Sequence, residues 1–166
     1  MKTLLTIAMI LQSALALAGQ SELIQLDTDF KDEQRINKTI YVPQEERSQY
    51  EIKINDKGLI LDSEGNVLDT RNLANGTAMF VYSKEGKIYL STVRKPLIFD
   101  HSSLVGGEDV IVAGSMNVNR GRIDYITDAS AMYESTSHGN LKSVIHRLNV
   151  MGADTQKMRA FFQNNF

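Results

Sequence analysis

The sequence has no cysteine. That absence rules out disulfide staples, zinc–thiolate sites and cysteine nucleophiles, so whatever holds the fold together is its apolar core. Charge of one sign is also scarce: 18 Lys and Arg face 20 Asp and Glu, for a formal charge of −2. A balance this weak gives no basic stripe for a phosphate backbone and argues against nucleic acid. After the first residues no apolar run reaches the length of about 20 that a membrane-spanning helix needs. The chain also contains no internal repeat and no low-complexity segment.

The N-terminus has the pattern of an export signal. Lys2 supplies a short positive region, Leu4 to Leu17 an apolar stretch broken by Thr6, Gln12 and Ser13, and Ala16-Leu-Ala18 small residues at −3 and −1. Residues 1–18 are therefore expected to be a signal peptide, with cleavage before Gly19. No cysteine follows to accept a lipid, which excludes a bacterial lipoprotein. Residues 19–38 are polar and charged, a flexible lead-in or short helix, and residues 39–166 read as a single domain. The expected location is secreted or periplasmic, with no membrane association once the signal is removed. Roughly 150 residues remain after cleavage, enough for one sizeable core.

Strand-and-turn units follow. Tyr50-Glu-Ile-Lys-Ile54 alternates with period two, Asp56-Lys-Gly58 turns the chain, and Asp62-Ser-Glu-Gly-Asn66 turns it again. Met79–Ser83, Lys84-Glu-Gly86 and Lys87–Val93 form the clearest hairpin. Leu97–Leu104, Val110–Val118 and Ile123–Thr127 read as further strands, Pro96 starting the first and Asn119-Arg-Gly121 joining the last two. The period then changes. Leu141, Val144, Ile145 and Leu148 fall at i, i+3, i+4 and i+7 of an amphipathic helix that Ser135, Thr136 or Ser137 caps and Gly152 ends. Asp154-Thr155 caps a second helix with Met158, Phe161 and Phe162 on its apolar face. The expected fold is α+β: a mainly antiparallel, strongly curved sheet of about six to eight strands with one or two C-terminal helices packed on it.

From Ile40 to about Asp154 these pieces occur in a familiar order. They are Tyr41–Ile52, Leu61–Thr70, Met79-Phe-Val-Tyr-Ser83 with Ile88-Tyr89, His101-Ser-Ser-Leu-Val-Gly106, Ala113-Gly114, Gly121 and Leu141–Asp154. In this order the chain resembles the C-terminal domain of the plant IQ-motif-containing (calmodulin-binding) proteins and their bacterial and fungal relatives. Ser130-Ala-Met-Tyr133 occupies the place of the family's Ser-Gly-His-Tyr, so Met132 stands where the family carries a histidine. If that histidine serves chemistry in relatives, the resemblance implies an altered or inactive site here. The calmodulin-binding segment of the plant proteins lies in a part missing from this chain, so calmodulin binding is not implied.

His101 leads the candidate site residues. Placed on a strand, His101 and Ser103 share one face and Ser102 takes the other, while Gly106 and Gly107 permit close backbone approach. The plain alternative is a histidine satisfied by backbone groups, with the serines stitching a strand end. Tyr133-Glu134 is the second candidate, an aromatic face beside a carboxylate, weighed against an aromatic packed on the sheet. Gly106, Gly107, Gly114 and Ser130 are candidate ligand-binding positions, although the glycines are explained as well by backbone crowding. A Ser-His-Asp set assembled from Ser102, His138 or His146, and Asp100 has no nucleophile elbow around it. The three histidines lack a ligand spacing, so no metal and no cofactor is expected.

Two functions stay open on these residues. One is an exported binding or interaction domain, of which a secreted effector is one form, whose partner is a protein or a small molecule. The other is a transferase of ADP-ribosyltransferase type, or a hydrolase, with its site around His101 and Tyr133. In an enzyme, His101, a serine and Tyr133 should converge on a concave pocket.

Overall fold

The computed structural model describes residues 39–130, Tyr133 and residues 138–163. The expected signal peptide and lead-in, together with Met132, Glu134 and the expected cap residues 135–137, lie outside the described residues.

The architecture is α+β. Strands β1 (Lys53–Ile54) and β2 (Ile60–Leu61) form a small antiparallel pair. Strands β3 (Ala78–Ser83), β4 (Ile88–Ser91), β5 (Val110–Asn119), β6 (Arg122–Thr127) and β7 (Arg159–Phe161) form a five-stranded sheet in the order β4-β3-β5-β6-β7. All pairings are antiparallel except β6–β7, which is parallel. Helix α1 (His138–Val150) supplies the crossover between those two strands. Two short 3-10 helices, η1 (Gln44–Tyr50) and η2 (His101–Val105), complete the described elements.

Both predicted hairpins are present. Gly86, with φ +76°, closes β3–β4, and Arg120 and Gly121, with φ +47° and +79°, make the two-residue turn of β5–β6. Positive φ at both central residues gives the turn twist that matches the flanking strands. Helix α1 also follows its sequence pattern: Leu141, Val144 and Leu148 are fully buried, and Gly152 at φ +88° ends it. Ala153 N donates to Leu148 O at 2.9 Å and Gly152 N to Asn149 O at 3.0 Å, which satisfies the last carbonyls of the helix.

The interior strand β3 is buried on both faces, and its alternation divides the core in two. Ala78 and Phe80 pack with Val112, Met116, Ile126 and the apolar stripe of α1, joined by Ile52, Ile60 and Leu68 from the small β1–β2 layer. Met79 and Val81 pack on the other face with Leu104 and Val105 of η2 and with Tyr133. The sheet is thus an inner layer between α1 with β1–β2 on one side and η2 with Tyr133 on the other.

Three expectations are corrected. The sheet is an open five-stranded one with a separate two-stranded pair, neither strongly curled nor closed. No strand spans 97–104: Lys95 and Phe99 pair around a tight turn with Leu97 at φ +62°, and the chain then winds into η2. The second C-terminal helix is instead β7, whose residues Arg159, Ala160 and Phe161 pair with Tyr125, Ile126 and Thr127. The open edge of β6 offers that segment a ladder, and a helix of one or two turns is marginal in water. Phe161 packs edge-on against Tyr125 at 5.7 Å, and Gln163 N donates to Asp128 Oδ1 at 2.6 Å, which fastens the segment beyond the strand.

Candidate functional site

η2 begins at a cap that its own sequence encodes. Asp100 accepts from the backbone N–H of His101 at 2.9 Å, and its own N–H donates to Ser103 Oγ at 3.0 Å, so each residue satisfies the other's free end. Gly106, left-handed at φ +65°, terminates the helix. A Cβ there would lie 2.4 Å from Nη2 of Arg47. The pattern Asp-x-x-Ser ahead of Leu104-Val105 is the signal that identifies this turn as helical, and the reading of 97–104 as a strand passes over it.

All of His101, Ser102 and Ser103 are buried. The His101 ring lies between two acceptors: Nε2 is 2.9 Å from the carbonyl oxygen of Gly114, and Nδ1 is 2.9 Å from Asp100 Oδ1, with Ser130 Oγ at 3.5 Å. A carbonyl can only accept, so Nε2 carries its proton toward Gly114 and has no lone pair for a substrate. Asp100 in turn receives Arg94, Nε at 3.2 Å from Oδ1 and Nη2 at 3.4 Å from Oδ2. Burial pushes the Asp100 carboxyl up, but the hydrogen bonds and charge of His101, with help from Arg94, hold it below the usual range.

The Gly114 carbonyl sits just past Ser115–Thr127, where the β5–β6 register begins. His101 thereby serves a strand carbonyl at the point where the neighbouring strand has ended. Gly114 itself is required by space: a Cβ would lie 1.9 Å from Thr127 O.

Tyr133 is buried, and its hydroxyl donates to Glu108 O at 2.8 Å. Burial, then the neighbouring charges of Asp109 and Glu108, pushes its phenol well above the ordinary value. Its ring is a core element and offers no face to a ligand. Ser130 lies between the two candidates, its Oγ accepting from Tyr133 N at 3.3 Å. Gly107, at φ +80°, lies under the Tyr41 ring. His146 is exposed on α1, across the sheet from η2, so Ser102 and Asp100 have no partner in it for a hydrolytic set.

His101, Ser130 and Tyr133 therefore do converge, but inside the packed layer rather than on a pocket. Two open clefts among the described residues lie elsewhere. One of about 260 Å³ is bordered by Tyr50, Glu51, Ile52, Asp62, Leu90 and Val93. The other, of about 120 Å³, is bordered by Asn75, Thr77, Thr92, Arg94 and Ser115 among others. Sequence reasoning misses the second cleft because its residues come from three separate segments with no shared spacing. Among the described residues no helix is long and apolar enough to cross a membrane.

Residues 46–140 match the family model of the IQ motif-containing protein middle domain. The matched stretch runs from within η1 to the start of α1 and contains η2, both hairpins and the His101 network. No curated protein and no solved structure matches the chain. The match is to a middle domain rather than the expected C-terminal one, and the expectation that calmodulin is not implied is not borne out by it. It covers more than half of the sequence, and the chain belongs to the family of IQ motif-containing proteins through their middle domain.

Proposed function

We propose that this chain is an exported interaction domain that binds a protein partner, and that the His101 cluster is a structural brace rather than a reaction centre. The observation that carries this reading is the commitment of both His101 nitrogens, to Gly114 O and to Asp100, in a fully buried ring. A general base must reach the proton it removes, and a transferase must admit its substrate. Neither cleft is bordered by His101, Ser102, Ser103 or Tyr133. Membership of the IQ motif-containing family supports a protein partner, with calmodulin the first to test. Export rests on the pattern of residues 1–18, and with it the reading of a bacterial relative acting in the periplasm or as a secreted effector.

The test uses the full chain expressed with its own leader. Mass spectrometry of the secreted product should give Gly19 as the first residue. Titration calorimetry with calmodulin, in calcium and in chelator, measures the first candidate complex. The same preparation should neither consume NAD nor hydrolyse simple esters above buffer. Turnover that disappears in a folded His101→Gln variant would overturn the reading.

A further inference from the structure

The smaller cleft opens where the η2-side core ends. Met79 pairs with Ser91 on β4 and with Ser115 on β5, so the three lie in one cross-strand row on the face that carries η2. Ser91 is used internally, its Oγ accepting from Val93 N at 3.1 Å and donating to Val93 O at 3.0 Å. Besides Met79 and Ser91, the cleft is bordered by Thr77, Thr92 and Ser115, by Asn75 and by Arg94. Its far wall is fixed: Gly76 O accepts from Thr70 Oγ1 at 2.9 Å and from Asn117 Nδ2, and Gly76 N donates to Leu73 O at 2.9 Å.

Arg94 is the one charged residue among those lining this cleft. Its guanidinium is held side-on by Asp100 through Nε and Nη2, and its side chain is still 34% exposed. Five N–H groups in a rigid fork leave donors to spare after that pairing. His101 Nδ1 lies 2.9 Å from Oδ1 of the same carboxylate. The larger cleft makes the contrast: it shares Ser91 and Thr92 but is bordered by Glu51 and Asp62 and by no cation.

We propose that the cleft between residues 73–77 and the end of β4 binds a compact oxyanion of a small molecule, a carboxylate or phosphate group, with Arg94 as its charged donor and Ser115, Thr77 and Thr92 as neutral ones. A volume of about 120 Å³ suits such a group and its waters. It falls well short of the several hundred Å³ typical of larger organic ligands. A guanidinium already locked by a buried partner loses little freedom on binding. This site goes beyond the protein-interaction reading and stands without it.

The test is a ¹H–¹⁵N NMR titration of the full chain with inorganic phosphate and, separately, with acetate, at constant ionic strength, with neutral acetamide as control. Saturable shifts confined to the amides of residues 75–77, 92–94 and 115 are expected from one or both anions and not from acetamide. The anion giving the tighter isotherm identifies the class of ligand. Arg94→Gln should weaken binding by about tenfold or more, the scale of one charge-assisted hydrogen bond. Ser115→Ala leaves the Arg94–Asp100 pair intact and should weaken it severalfold without changing the melting temperature, so the site stays testable if Arg94→Gln does not fold. The proposal is overturned if neither anion gives saturable shifts at those amides. It is equally overturned if Ser115→Ala binds as the parent does, or if the shifts scatter over the lysines and vanish with added chloride. Each of these failures leaves the calmodulin titration untouched.

Discussion

His101 Nε2 donates to the carbonyl oxygen of Gly114 across 2.9 Å, joining two residues that the sequence places in separate segments. Gly114 lacks a side chain because the end of β6 passes over it, and the carbonyl left beyond the last β5–β6 pair needs a donor from outside the sheet. The imidazole of η2 is that donor. The bond ties the 3-10 helix to the sheet at a point where no strand can.

Gly114→Ala should therefore be among the most damaging single substitutions. The added methyl meets Thr127 O at 1.9 Å, a backbone atom that moves only if β6 moves. A loss of at least about 3 kcal/mol in urea unfolding is expected, at the upper end of overpacking costs. A loss below about 1 kcal/mol would mean that β6 does not approach as described.

Tyr133→Phe should keep the packing and remove one hydrogen bond, leaving Glu108 O without its 2.8 Å donor. A cost of about 1–2 kcal/mol is expected. Tyr133→Ala should cost about 3–5 kcal/mol by opening a cavity in the η2-side core. Equal costs for the two variants, measured by chemical denaturation, would contradict the hydrogen-bonded placement.

Asp100 fixes the acid limb of stability. Its folded-state carboxyl lies below the ordinary value, because hydrogen bonds and charge from His101 and Arg94 outweigh the opposing effect of burial. A group depressed in this way contributes stability that is complete above the unfolded value of about 4 and drains away as pH falls through the folded value. Unfolding free energies measured from about pH 7 down to about pH 3 should fall more steeply for the parent than for Asp100→Asn. The variant should also lose about 1–3 kcal/mol at neutral pH with its cap and ion pair. Parallel curves would show that Asp100 is not linked to folding.

Arg120→Asn should be stabilising. Arg120 holds φ +47° at the first central position of the β5–β6 turn, ahead of Gly121 at +79°. Asparagine tolerates that region better than a long side chain, and Asn-Gly is the favoured pair for this turn. A gain of about 0.5 kcal/mol or more should appear as a melting temperature higher by a degree or more. A lower melting temperature would show that the Arg120 side chain contributes contacts that outweigh the backbone preference.

The local devices of this fold are legible in the residue string. Gly86 and Arg120-Gly121 announce their hairpins, and Leu141, Val144, Ile145 and Leu148 announce one helical face with Gly152 at its end. Each of these depends on neighbours within a few positions. Where a segment's partner is remote, local pattern misleads. Met158, Phe161 and Phe162 have helical spacing, yet the open edge of β6 takes residues 159–161 as a parallel strand. His101-Ser-Ser looks like a strand with alternating faces, yet the Asp100–Ser103 cap winds it into a turn with every side chain inside.

The sequence by itself determined that the chain lacks cysteine chemistry, that its strands come in hairpins, and that one amphipathic helix follows them. These are matters of composition and short-range periodicity. Only the tertiary structure decided which acceptors face the buried His101 ring, because a proton's availability depends on the groups around it. Gly114 and Asp100 supply those acceptors, Gly114 from a strand thirteen residues away. The same holds for Arg94, which enters a cleft with Thr77 and Ser115 only after three strands have set their register.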